Sequence, residues 1–184
     1  MEHPEEGEWV RQARAGDRAA FAALVDRYWD RLRRWLFALT RQEHLAEDLT
    51  QEAFLRAWQA LPTLEGPGGF RPWLFRIARN CLLDRQRGPR GAEARSLPAD
   101  LQAKGTGPVG DVLEREAQQM LQAALARLPT DYRAAYVLWT QEDMPYCQIA
   151  QVLAISEETA RWRVCKARQF LLRELQPYLD VPKP

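Results

Sequence analysis

Histidine is almost missing from this chain, which has two, and cysteine is sparse at three. His3 and His44 have no partner ligands at metal-binding spacing, and neither HExxH nor CxxC occurs. Cys81, Cys147 and Cys165 are far apart, odd in number and set in helical patterns. That excludes a disulfide framework or zinc site and reads them as small core residues in a reducing compartment. No run of about 18 apolar residues exists, so no membrane insertion is expected. The opening MEHPEEGEW has neither the positive nor the apolar region of a signal peptide. Nucleotide-binding glycine fingerprints, a nucleophile elbow, strand-like alternation and a fixed-period repeat are all lacking. Charge of one sign is not in excess either, the formal net charge being +1. These gaps point to a cytoplasmic all-α protein with no cofactor, no metal and no catalytic constellation.

What is there is a folded composition, 46% hydrophobic and 28% charged, with its charge unevenly placed. Glu2, Glu5, Glu6 and Glu8 make the start acidic, and the segment from Glu43 to Glu52 is acidic again. Phe70 to Arg87, FRPWLFRIARNCLLDRQR, is the most informative stretch. Phe70, Trp73, Leu74, Ile77 and Cys81 recur at helical spacing and form an apolar stripe. Arg71, Arg76, Arg79, Arg85 and Arg87 stand against one acid, Asp84. Pro72 suits a first helical turn. Two readings fit: a nucleic-acid-binding helix, or a solvated helix with snorkelling arginines.

Along the chain, residues 9–15 read as a short helix ended by Gly16, with Asp17 capping the next. Phe21, Leu24, Val25, Tyr28, Leu32, Trp35, Leu36 and Leu39 hold a helical period from Arg18 to Thr40. After a break at Arg41–His44, Leu45, Leu49, Ala53, Ala57 and Trp58 line one side of a further helix. Asp48, Gln51, Glu52 and Leu55 fall on another side, a partly acidic stripe ending in a leucine. It reads as a docking surface or as a plain solvated face. Leu61–Gly69 is a loop with two prolines and three glycines. The glycine- and proline-rich stretch 88–110 reads as a flexible linker between two small helical domains, 9–87 and 111–178; fully extended it would span about 75 Å.

In the second domain, Leu113, Ala117, Met120, Leu121, Ala124, Leu125 and Leu128 form one stripe. Thr130 or Asp131 is expected to cap a helix that buries Tyr132, Tyr136 and Trp139. Tyr146–Leu153 and a helix from Ser156 to Leu175 are separated only by Ala154-Ile155-Ser156, the pattern of a helix-turn-helix or of an ordinary helical hairpin. Ile149, Leu153, Ile155, Ala160 and Val164 would be its interior, and Ser156 its cap. Glu157, Glu158, Arg161, Trp162, Arg163, Lys166 and Arg168 would be exposed, where side chains reach base edges.

The segments AEDLTQEAFLRAW, FRPWLFRIARNCLLDRQR and LPTDYRAAYVLWTQEDMPYCQIAQVLAISEETARWRVCKARQFLLREL, in this order, resemble the bacterial RNA polymerase sigma factors, in the compact extracytoplasmic-function form. The resemblance runs from about Asp17 to Leu175. It implies a promoter-specificity subunit, not an enzyme. Core polymerase binding falls on Asp48, Leu49, Gln51, Glu52 and Leu55, with Phe54 in the same motif. It implies reading of single-stranded −10 promoter DNA by the 61–69 loop and by Arg71, Arg76, Arg79, Asn80 and Arg87. Readers of the −35 duplex fall among Glu158, Thr159, Arg161, Trp162, Arg163 and Lys166. It also implies an anti-sigma factor as partner. Ala154 stands where the family's turn commonly has glycine, and Trp162 where small or polar residues are common, so the −35 preference is expected to be unusual. A stand-alone helix-turn-helix regulator, or a metal-dependent nucleic-acid enzyme built on Glu47, Asp48 and Glu52, would be the rivals.

Overall fold

The computed structural model describes residues 4–64, 69–87 and 112–179, excepting the side chains of 4, 112–118 and 177–179. The expected linker, 88–110, lies outside the described residues. The described residues form helices and one short 3-10 turn, with no strand among them. No helix among them is long and apolar enough to cross a membrane.

Helix α1 (Pro4–Arg14) begins earlier than its apolar residues indicate, with Glu5 and Glu6 in its first turn. Gly16, at φ 97°, reverses the chain. Asp17 then accepts the backbone N–H groups of Ala19 (2.8 Å) and Ala20 (3.2 Å), capping α2 (Arg18–Thr40). Arg41, at φ 58°, ends α2 by returning its N–H to the Phe37 carbonyl. Helix α3 (Glu43–Ala60) follows, then a 3-10 turn at Leu61–Thr63 and α4 (Phe70–Arg87). The second group is α5 (Val112–Arg127), α6 (Thr130–Thr140), α7 (Tyr146–Leu153) and α8 (Glu157–Leu179).

Both helical groups are present as the periodicity predicts, but they do not sit apart. One buried cluster runs from Leu24, Trp35 and Phe75 through to Ala135, Leu138, Ile149 and Val164. Helix α6 packs on α2, and α7 packs on α4. Two expected faces change for this reason. On α6 the wholly buried residues include Ala134, Ala135, Val137 and Leu138, while Tyr132, Tyr136 and Trp139 are half-buried. Tyr132 and Tyr136 join a smaller cluster of Leu125, Leu128, Ala167 and Leu171. On α4 burial extends beyond Phe70, Leu74 and Cys81 to Phe75, Ala78 and Leu82, because the helix is covered by α3 and by α7. The cap expected of Thr130 or Asp131 is not used: Pro129 occupies the N-cap position of α6, with no side-chain cap bond.

Trp35 joins the two groups directly. Its ring lies 5.4 Å from that of Phe75 and its indole N–H donates to the Ala134 carbonyl at 3.4 Å. Arg133, buried in α6, donates to the carbonyls of Leu125 and Ala126, and reaches the Leu39 carbonyl of α2 at 3.5 Å. Trp35→Ala is expected to cost about 3–5 kcal/mol, read as a lower urea midpoint with both helical groups losing structure together.

Candidate functional site

Helix α3 carries the acidic stripe on its outer side. Asp48, Gln51 and Leu55 are exposed, Leu55 by 67%, and Glu52 is half-buried. Leu49 is fully buried, and so belongs to the core rather than to the stripe; Phe54 is likewise buried. The stripe is less purely acidic than its spacing implies. Arg56 reaches Glu52, one turn back, at 2.6 Å and Asp84 of α4 at 2.7 Å, while Arg85 lies 3.8 Å from Asp48. The acids therefore also tie α3 to α4.

Helix α4 presents its polar residues unequally. Arg76, Asn80 and Arg87 are exposed, whereas Arg71 and Arg79 are half-buried. Arg71 donates to the Glu142 backbone carbonyl (2.9 Å) and to the Gln148 side-chain carbonyl (2.9 Å). Burial pushes the Arg79 guanidinium pKa down; Asp131 opposes this, while Arg163 and Arg87 add to it. The middle of α4 thus faces charges from the second group. Residues 65–68 of the preceding loop lie outside the described residues.

The seam holds an ion pair that sequence reading does not reveal. Glu142, 3% exposed in the turn after α6, accepts from Arg31 of α2 at 2.9 and 2.7 Å. Burial pushes its carboxyl pKa up, opposed by Arg31, Arg71 and Arg34. Glu6 of α1, also buried, lies 3.3 Å from Arg27. Glu6, Arg27, Tyr28, Arg31, Arg71 and Glu142 line a cleft of about 180 Å³ together with Asp143. In the sequence, TQEDMP reads as a surface turn; the one hint is that Glu142 precedes a proline break between two core helices.

Helices α7 and α8 form the helix-turn-helix. Ala154 takes the left-handed conformation (φ 47°, ψ 52°) and returns its N–H to the Ala150 carbonyl, so the turn closes without glycine. Ser156 accepts the Thr159 N–H at 3.1 Å, and the two hydroxyls are 2.8 Å apart. Glu158, Arg161, Trp162 and Lys166 are exposed. Thr159 is half-buried, and Arg163 is turned to Asp131 of α6 at 2.9 Å with 20% of its side chain exposed. Arg161 lies over the Tyr146 ring at 5.4 Å. Of the cysteines only Cys81 is a core residue, its thiol pushed up to about 11 by burial; Cys147 and Cys165 lie on outward positions of α7 and α8. No three His, Cys, Asp or Glu residues among the described residues converge on a metal position.

Comparison with known proteins matches residues 24–90 to Sigma-70 region 2 and residues 118–171 to Sigma-70, region 4, together more than half of the chain. The ECF RNA polymerase sigma factor SigW of Bacillus subtilis is 29% identical over 177 residues, spanning 91% of this chain and 95% of that one. The RNA polymerase sigma-H factor of Pseudomonas aeruginosa is 30% identical over 181 residues, spanning 92% and 93%. The ECF sigma factor SigE of Mycolicibacterium smegmatis is 37% identical over 172 residues, spanning 89% of this chain and 64% of that one. Two solved structures share the fold. CnrH, in complex with the cytosolic domain of CnrY, has a TM-score of 0.66 at 28% identity and covers 94% of this chain and 97% of its own. RpoE of Bartonella quintana, in complex with the anti-sigma factor NepR, has a TM-score of 0.67 at 25% identity and covers 85% and 96%. With both regions in order on one chain, and relatives aligned over nearly all of it, this protein belongs to the sigma-70 family, as an extracytoplasmic-function sigma factor that directs RNA polymerase to promoters.

Proposed function

We propose that three separate faces divide this work. The outer stripe of α3, Asp48, Gln51, Glu52 and Leu55, docks on core polymerase. An exposed leucine beside acids offers an apolar anchor with charge steering around it. The exposed side of α4, Arg76, Asn80 and Arg87 with Arg79 beside them, holds melted −10 DNA by backbone charge and edge contacts. Helix α8 enters the −35 duplex with Glu158, Thr159, Arg161, Trp162 and Lys166. Arg163 and Arg71 join these sets only once their contacts to Asp131 and to Glu142 and Gln148 are released. The polymerase supplies the chemistry. A stand-alone regulator needs neither the α3 stripe nor the α4 arginines. CnrH and RpoE are described in complexes with CnrY and an anti-sigma factor, which supports a partner of that kind here.

The observation that carries the mechanism is Arg71, a −10 candidate hydrogen-bonded to the first helix of the helix-turn-helix. Elements 25 base pairs apart are separated by about 85 Å of B-form DNA. Groups within hydrogen-bond distance do not reach both elements at once, so the packed form is a resting form and promoter engagement parts α4 from α7. Breaking one side of a buried ion pair costs about 3–5 kcal/mol, the lower end applying here because Arg31 is partly exposed.

Three outcomes test these assignments. Reversing Asp48 and Glu52 to lysine is expected to weaken core polymerase binding at least tenfold in a pull-down titration; unaltered binding removes the α3 stripe from the docking surface. Arg76→Ala with Arg79→Ala is expected to lower open-complex formation, measured by permanganate reactivity, while −35 binding persists. Glu142→Lys sets a third cation beside Arg31 and Arg71 and is expected to enlarge the radius of gyration in X-ray scattering. Glu142→Gln, which still accepts from Arg31, stays compact. An unchanged radius for Glu142→Lys overturns the resting-form reading.

A further inference from the structure

The buried positions of α8 are Ala160, Val164, Ala167 and Leu171, which place Trp162 on the side facing away from the core. Trp162 is 50% exposed, beside the charged residues Glu158, Arg161 and Lys166. The ring is not adrift: Tyr132 of α6 braces it, with centroids 5.6 Å apart and planes inclined by 50°. Arg163, the next residue, is drawn to Asp131 at 2.9 Å.

We propose that Trp162 is a specificity-determining residue of the duplex contact and that the base it selects is thymine. This rests on α8 being the helix that reads the −35 duplex. Indole offers an apolar ring and a single N–H donor, with no acceptor. In the major groove thymine presents a methyl group and the O4 acceptor, matching both features. Cytosine lacks the methyl and turns its amino donor toward the indole N–H. Adenine sets a donor beside its acceptor and has no methyl. Guanine offers acceptors without an apolar group, which suits Arg161 or Lys166 better. The Tyr132 brace lowers the rotamer freedom lost on binding, so the contact discriminates rather than merely covers the base.

The test uses the full chain reconstituted with core polymerase. The probe is the duplex that this holoenzyme selects from a library randomised across −35. Each selected thymine is replaced in turn by deoxyuridine, which deletes only the methyl group. At one or two positions the wild type is expected to bind about fourfold more weakly, the worth of one buried methyl. Trp162→Ala binds both duplexes equally there, and Trp162→Phe keeps part of the difference. A selected site without thymine, or wild-type binding indifferent to uracil at every position, overturns the proposal. If Arg161→Ala and Lys166→Ala still weaken −35-dependent binding in that case, the assignment of α8 stands without it. If they do not, α8 is not the reader and both fall.

Discussion

The seam between α2 and α4 on one side and α6 and α7 on the other is the constraint on which the rest depends. Trp35 fills it, Glu142 ties Arg31 within it, and Arg71 crosses it to the backbone of Glu142 and the side chain of Gln148. Apolar burial is non-directional and would hold the two groups at many angles. Buried donors and acceptors admit few, because an unpaired one costs more than a made bond returns. The polar contacts of the seam therefore set the alignment, while Trp35 and its neighbours supply most of the attraction.

That alignment leaves some groups facing outward and commits others to partners across or beside the seam. Leu55, Arg76, Asn80, Arg161, Trp162 and Lys166 face outward with the groups packed. Arg71 and Arg163 are committed to internal partners. A guanidinium held by a carbonyl or a carboxylate must lose that bond before it meets phosphate, and the exchange is closer to neutral than the gain of a new contact. On the proposed assignment charge does two jobs, with Arg71 and Arg163 aligning the packed helices here and turning to the promoter once released.

The α3 stripe follows the same pattern on a smaller scale. Glu52 and Asp48 are close to Arg56 and Arg85, so their charge is partly answered within the protein. Exposed pairs of this kind are worth little, about 0–1 kcal/mol each.

Local chemistry made most helices legible in the amino-acid sequence. Asp17 as a cap, Gly16 as a stop, the proline before Tyr146 and the Ser156–Thr159 cap act within one or two turns; α2 and α7 appear with the expected bounds, while α1 starts earlier and α8 runs past Leu175 to Leu179. The helix-turn-helix was legible for the same reason. The burial of Leu49 against the exposure of Leu55 was only half legible, since a helical stripe gives an angle but not the width of the covering neighbour. Tertiary structure alone decided which faces of α4 and α6 are covered twice. Ala134 and Ala135 are too small to announce a buried face, and Glu142 is an ordinary turn residue until Arg31, 111 positions away, closes on it. Periodicity records each helix's preference for a core; only the meeting of distant helices chooses which core, and with it which arginines stay exposed.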